Sequence, residues 1–160
     1  MTEDVNSGKT AGGNEKKMEI EQLLAQGHSV RIYPQGYSMY PMFVPGRDEA
    51  VIGPLPQGRV PRRGDVVLYR RAGSRGILVL HRIWKAAPEG VYLVGDNQTD
   101  IEGPLRPEQL RGILTSFIYK GREVSVRHPV YVFYSFVWLL VRPFRQKIAS
   151  VIHFFVHFFS

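Results

Sequence analysis

The sequence predicts one mainly β domain: two observations support the β class, and the length supports a single domain. Residues 28–127 consist of short apolar or alternating runs, separated by turns rich in Gly and Pro. No long helical pattern intervenes between these runs, which favours a folded sheet or a partly open barrel. The length of 160 residues suits one domain of ordinary size.

The residues before this region have a different composition. Residues 1–17 are polar and small and lack the apolar core of a signal peptide, so we expect a disordered tail there. Residues 18–27 are predicted to form a short helix. In that helix Ile20, Leu23 and Leu24 share one face, which is expected to pack on the edge of the domain.

Seven strands are predicted in the β-rich domain, and each is bounded by turn residues such as Pro45-Gly46 and Lys120-Gly121. The predicted strands are Val30–Tyr33, Glu49–Ile52, Asp65–Arg70, Ile77–Trp84, Val91–Val94, Ile113–Tyr119 and Glu123–Val126. Their spacing indicates a single β-rich unit over residues 28–127.

The chain ends in an apolar segment, residues 128–160. Ten of the 19 aromatic residues lie between Pro129 and Ser160, together with three basic residues and no acidic one. Two apolar helices are predicted, over Val130–Val141 and Ile148–Phe159. Each is about 12 residues long, which is short of the roughly 20 residues that a spanning helix needs.

This composition favours contact with a membrane lipid surface through residues 129–159. Aromatic residues flanked by basic ones suit a helix lying in an anionic interface. The alternative is a pair of helices docked on the β domain or on a partner. We therefore expect a membrane-associated protein, either peripheral, monotopic or anchored through its C-terminal segment.

Composition also excludes several functions. The chain has no cysteine, which rules out disulfides, thiolate metal sites and a cysteine nucleophile. The net charge of +7 is compatible with nucleic acid or with an anionic membrane. Basic pairs such as Arg62-Arg63 come without a recognition helix or an aromatic platform, so no nucleic-acid partner is predicted. No metal and no cofactor are predicted.

The first motif with candidate chemistry surrounds Ser38, in Gly36-Tyr37-Ser38-Met39-Tyr40-Pro41. Gly36 and Pro41 would place this serine on a tight turn with an exposed backbone. A serine there can act as a nucleophile if a base takes its proton and hydrogen-bond donors await the oxyanion. The alternative is that Ser38 caps a helix beginning at Met39.

Three further motifs follow in order. Arg63-Gly64-Asp65-Val66-Val67 is a turn that opens an apolar strand. His81 interrupts the strongly apolar strand Leu78–Ile83, where it is either an interior histidine or a base. Gly95-Asp96-Asn97 ends another apolar strand, and its alternative role is a turn in which side chains bind backbone amides.

Together and in this order, the motifs resemble the type I signal peptidases and their S24/S26 serine-peptidase relatives. The resemblance covers roughly residues 29–119. It implies the folded sheet of that family, with Ser38 as the nucleophile, the Arg-Gly-Asp-Val motif in support and the Gly-Asp-Asn motif following. Gly36, Met39 and Pro41 would support the turn, and the Ser38 N–H would stabilise the oxyanion.

The resemblance also identifies a base. The strand after the Arg-Gly-Asp motif contains His81 and no lysine, which is similar to the endoplasmic-reticulum and archaeal type of signal peptidase, in which histidine replaces lysine. An imidazolium needs an orienting carboxylate. Asp96 is the expected partner because it matches the Gly-Asp-Asn motif, while Asp100 and Glu102 are alternatives, since the family places a second acid further along.

The function implied is that of a serine endopeptidase that cleaves signal or leader peptides from exported precursors. Ser38 would attack the scissile carbonyl, His81 would take and return the proton, and water would release the acyl group. The expected substrate is an extended precursor peptide with small residues just before the cut. The alternative is a catalytically inactive module on the same fold that binds peptides or a membrane partner.

Overall fold

A computed structural model describes residues 2–4, 13–58, 60–71 and 77–144, and one sheet of nine strands dominates it. The strands are β1 Thr2–Asp4, β2 Ser29–Ile32, β3 Glu49–Gly53, β4 Val66–Arg70, β5 Leu78–Ala87, β6 Gly90–Val94, β7 Glu102–Leu105, β8 Leu110–Tyr119 and β9 Arg122–Ser125. The helices are α1 Gly13–Ala25 and α2 Pro129–Val141, with short 3-10 turns at Pro107–Gln109 and Arg142–Phe144.

The strand order is β1-β2-β3-β8-β4-β5-β6-β7, and β9 pairs with β8 beside this path. β1 runs parallel to β2, whereas the other pairs are antiparallel. The long strand β8 lies at the centre because its first residues pair with β4 and its later residues with β3. Among the described strands β1 and β7 end the path without meeting, so the sheet is open.

Strand β4 shows why the sheet is buried on both faces. Its residues Val66 and Leu68 belong to one apolar cluster, and Val67 and Tyr69 belong to a second. Successive side chains of a strand point to opposite faces, so a continuous apolar run serves two cores at once. The first core includes Leu24 of α1, which is 3% exposed. The N-terminal helix therefore packs on the domain through its apolar face.

The prediction of a mainly β fold is confirmed, and all seven predicted strands are present within a few residues of their expected bounds. Two strands, β1 and β7, were not predicted. β1 falls in the segment expected to be a disordered tail. Helix α1 also begins earlier than expected, at Gly13 rather than at residue 18. β1 pairs with β2 through its backbone, which needs no apolar pattern in the sequence. Helix α1 is also held by Glu21, whose carboxylate binds Arg70 and Arg111.

The expectation of two apolar C-terminal helices is not supported. The described residues contain one, α2, and the predicted helix Ile148–Phe159 lies outside them. Tyr131, Ser135 and Leu139 form the buried face of α2 against the β domain. Within the described part of the chain, no helix is long and apolar enough to cross a membrane.

Candidate functional site

Ser38 lies on a tight turn, as Gly36 predicts. Gly36 has a φ of +73°, a backbone conformation that glycine adopts without strain. The Tyr40 N–H donates to the Tyr37 carbonyl at 3.1 Å, and the Met39 side chain is buried beneath the turn. Residues 38–42 form turns and not a helix, so a helix cap does not explain this serine. Ser38 itself is half-buried.

Ser38 and His81 line the same cleft, which has a volume of about 360 Å³. Apolar side chains make up much of its wall. They include Ile32, Met39, Leu68, Leu78, Val79 and Leu80. Two residues that are 43 positions apart in the sequence are thus brought to one apolar depression.

The Gly-Asp-Asn motif abuts the serine turn. The Asn97 N–H donates to the Ser38 carbonyl at 2.8 Å. A Cβ atom at Gly95 would lie 2.6 Å from the same carbonyl oxygen, which is closer than real contacts allow. Glycine is therefore required at position 95, because the two backbones approach each other directly.

The Arg-Gly-Asp turn closes onto β5. The Gly64 N–H donates to the Ile83 carbonyl at 2.9 Å, and the Ile83 N–H donates to the Asp65 carbonyl at 2.8 Å. The Asp65 side chain accepts from the Arg62 N–H within the turn. This motif fixes the second half of β5 and does not enter the cleft.

His81 is buried on β5 and is 1% exposed. Its Nδ1 lies 3.1 Å from the Tyr69 hydroxyl and 3.4 Å from Glu102 Oε1. The Tyr69 hydroxyl donates to Glu102 Oε2 at 2.7 Å. Arg71 holds the same carboxylate, with its Nε donating to Oε2 at 2.9 Å. Tyr69 and Glu102 thus form the wall behind the imidazole.

These contacts determine which ring nitrogen of His81 bears the proton. A tyrosine hydroxyl has one proton, and Tyr69 donates it to Glu102. The hydroxyl can therefore only accept from His81, which requires the proton on Nδ1. The other nitrogen, Nε2, is then an acceptor, and although it is buried it has no hydrogen-bond partner among the described residues. The base form of the ring offers its lone pair at Nε2.

Burial lowers the pKa of His81 to about 4, although the Glu102 carboxylate opposes the shift. Burial also acts to raise the pKa of Glu102, but hydrogen bonds from Arg71 and Tyr69 outweigh it, and the net shift is downward. Burial and the bond to Glu102 raise the pKa of the Tyr69 phenol. Near neutral pH the cluster therefore contains a neutral imidazole, a neutral phenol and an ionised carboxylate.

The neighbouring residue, Arg82, forms a second buried cluster. Its Nε and one terminal nitrogen donate to the two Asp96 oxygens at 2.8 and 2.7 Å. The other terminal nitrogen donates to the Gly64 carbonyl at 3.0 Å and to Ser135 Oγ of α2 at 2.7 Å. Burial alone would lower the pKa of Arg82, but Asp96 and Tyr131 outweigh it and raise the pKa.

The expectation that Asp96 orients His81 is corrected by this geometry. Asp96 uses both carboxylate oxygens on Arg82, and Glu102 is the carboxylate next to His81 Nδ1. Asp100, the other alternative, is exposed. The buried guanidinium of Arg82 keeps its charge and requires a neutralising carboxylate, whereas the imidazole of His81 can be buried neutral. Asp96 therefore pairs with Arg82.

Tyr69 and Arg71 are the residues of this cluster that the motifs do not reveal. A signal was present in the strand pattern. Val67 pairs directly with His81 across β4 and β5, and Tyr69 is two residues further along β4. It is therefore a diagonal neighbour of His81 on the same face of the sheet, within reach of a long side chain.

Comparison with known proteins finds no match: no family model, no curated protein and no solved structure matches this chain.

Proposed function

We propose that this protein is a serine endopeptidase of the signal-peptidase type, in which Ser38 is the nucleophile and His81 the base. The observation that supports this most strongly is the buried Nε2 of His81, which has no hydrogen-bond partner in the part of the chain that the structure describes. His81 lines the same cleft as Ser38. A buried nitrogen without a partner is costly and rare, and such groups are concentrated at functional sites.

The reaction is acyl transfer. Ser38 Oγ attacks the scissile carbonyl carbon while its proton passes to His81 Nε2, and the Ser38 N–H stabilises the oxyanion. The imidazolium is stabilised by the Glu102 carboxylate through Tyr69. The tetrahedral intermediate then expels the amine, which takes the proton from Nε2. Water attacks the acyl-enzyme with His81 again acting as base, which frees the new carboxyl end and restores Ser38.

The substrate that the cleft favours is an extended peptide. The ladder between β5 and β6 begins at Arg82, so among the described strands residues 78–81 pair only with β4. Their other edge can accept a peptide strand, and Leu78, Val79 and Leu80 line the cleft beside it. By the motif resemblance, the peptide is a signal or leader segment with small residues before the cut.

The test is cleavage of signal-peptide substrates in detergent, with the products detected by mass spectrometry. Ser38→Ala and His81→Gln should each lose activity by roughly a thousandfold or more. Ser125→Ala and His28→Ala are matched controls, because both residues are exposed and neither lines the cleft. Circular dichroism checks that each variant is folded. Full activity in either site variant would contradict the mechanism.

A second candidate is a peptide-binding module without catalysis. It is favoured by one observation, which is that no hydrogen bond joins Ser38 Oγ to His81 Nε2 although the two described residues line one cleft. Binding of the same peptide to wild type and to Ser38→Ala, measured by fluorescence anisotropy, separates the two functions. Binding without turnover in wild type would support the module, and turnover in wild type would exclude it.

A further inference from the structure

Helix α2 presents an exposed apolar face that takes no part in the cleft. Its large side chains are exposed by 54–68%. They are Val130, Val132, Phe133, Phe136 and Leu140, and Phe144 follows in the next turn at 57%. At about 100° per residue they fall on one side of the helix, with no polar residue among them.

The opposite face of α2 is committed to the β domain. Tyr131, Ser135 and Leu139 are buried there. Trp138 Nε1 donates to the Asp96 carbonyl at 3.1 Å, and Ser135 accepts from Arg82. The helix axis is thus fixed against the sheet, and the apolar face cannot be hidden by a simple rotation of α2.

Basic side chains lie next to this face. Arg63 lines a groove of about 550 Å³ together with Val132, Phe136 and Leu140. Arg63 also lines an adjoining depression with Arg62 and Lys85. These three residues are exposed.

The positive rim continues before α2, where Arg127 is exposed. Arg142, just after the helix, is half-buried against the β domain, where its guanidinium stacks over the ring of Trp84 and donates to the Thr99 carbonyl. We therefore leave Arg142 out of the rim. Asp65 is the acidic residue lining the groove, and its carboxylate already accepts a bond from the Arg62 backbone. The rim is therefore predominantly positive.

We propose that this face of α2 docks the domain on an anionic lipid surface, with the helix lying in the plane of the interface. Apolar side chains enter the boundary between headgroups and acyl chains, while the basic rim binds anionic headgroups. Charge favours this occupant over a second copy of the chain, because two copies would bring their positive rims together. The docking does not depend on the chemistry at Ser38.

The absence of cysteine allows a direct test. A single cysteine is introduced in the full chain by Phe133→Cys or Phe136→Cys and labelled with an environment-sensitive fluorophore. Tyr119→Cys is the control, because Tyr119 is an exposed aromatic residue at the C-terminal end of β8 and does not line the α2 groove. Vesicles of phosphatidylglycerol with phosphatidylcholine should shift the emission of the α2 labels to the blue and leave that of residue 119 unchanged.

The charge contribution is tested separately. Arg63→Gln should weaken binding to the anionic vesicles roughly fivefold, whereas Arg122→Gln, an equal charge change on β9, should not. Phe136→Ser should weaken it roughly tenfold or more. High salt or pure phosphatidylcholine vesicles should also reduce binding.

Three results would overturn the proposal. One is vesicle binding without a shift of the labels on α2, which would locate the contact elsewhere in the chain. Another is equal binding to neutral vesicles. The third is a blue shift without vesicles that grows with protein concentration and accompanies a dimer in sedimentation, because the face would then join two copies of the chain.

Discussion

His81 and Arg82 are adjacent on β5, yet their side chains lie in two clusters of opposite character. Each is buried, and each meets one carboxylate, Glu102 for His81 and Asp96 for Arg82. All three guanidinium nitrogens of Arg82 have partners, whereas the imidazole Nε2 has none within the described ranges of the chain. A buried charge whose bonds are all made stabilises the fold, whereas a buried neutral imidazole with an unoccupied acceptor is what the proposed reaction requires.

The physical cause of the difference is charge. A guanidinium cannot lose its proton, so burial requires that each of its donors be bonded. An imidazole can be buried neutral, and only an ordinary polar atom is then left unpaired. The strand alternates its faces at successive residues, so one strand supplies both clusters without mixing them.

The largest effect is expected on breaking the Arg82 cluster. Arg82→Met removes the guanidinium that neutralises the buried Asp96 carboxylate, and we expect a loss of about 3–5 kcal/mol in the free energy of unfolding, measured by urea denaturation. The double variant Arg82→Met with Asp96→Leu should recover part of that loss, because no buried charge remains. A loss below about 1 kcal/mol in the single variant would contradict a structural role for Arg82.

A smaller effect is expected from titrating His81. Its pKa is about 4 when folded, below the ordinary value of 6.5, so the unfolded chain binds the proton more readily. The stability that follows is fully present above pH 6.5 and is lost as the pH falls towards 4. Between pH 6.5 and 4.5 we expect a loss of about 2 kcal/mol in the free energy of unfolding.

The control for this pH dependence is His81→Gln, measured by urea denaturation at the same pH values. Glutamine does not titrate, so the variant should show a flatter dependence between pH 6.5 and 4.5. Glu102 has a lowered pKa and therefore adds its own loss only as the pH falls below its ordinary value of 4.5. Equal slopes in wild type and variant would show that His81 is not buried as a neutral base.

Much of the fold could be predicted because its strands are apolar and its turns contain Gly or Pro. β7, with the sequence Glu102-Gly103-Pro104-Leu105, could not, because a charged residue, a glycine and a proline conceal the strand pattern. The helix α2 could be predicted from its apolar run. Its division into a docked face and an exposed face follows from contacts with Arg82 and Asp96, which are distant in sequence.

The residues of the candidate site also differ in how far they could be predicted from the sequence. Ser38 and His81 could be placed together because their motifs have a characteristic order. The acid could not be assigned, because Asp96 and Glu102 both follow an apolar strand, and the choice depends on which of them meets Arg82. The role of Tyr69 could not be predicted either, since a tyrosine in an apolar strand is expected simply to pack in the core.

The smallest effect is expected on removing the Tyr69 hydroxyl. Tyr69→Phe loses the acceptor for the His81 Nδ1 proton, and Glu102 Oε1, at 3.4 Å from that nitrogen, replaces it only in part. We expect a loss of about 1 kcal/mol in stability and a fall of roughly tenfold in kcat with KM unchanged. In ¹⁵N spectra of the imidazole, wild type should have its proton on Nδ1, and the variant should gain the Nε2-protonated form. Tyr92→Phe is the matched control, because that exposed hydroxyl donates to Glu89, and Tyr92 pairs with Lys85, four residues along β5 from His81. An unchanged spectrum in Tyr69→Phe would show that Glu102 alone orients the base, and the tautomer would then depend on the carboxylate and not on the phenol.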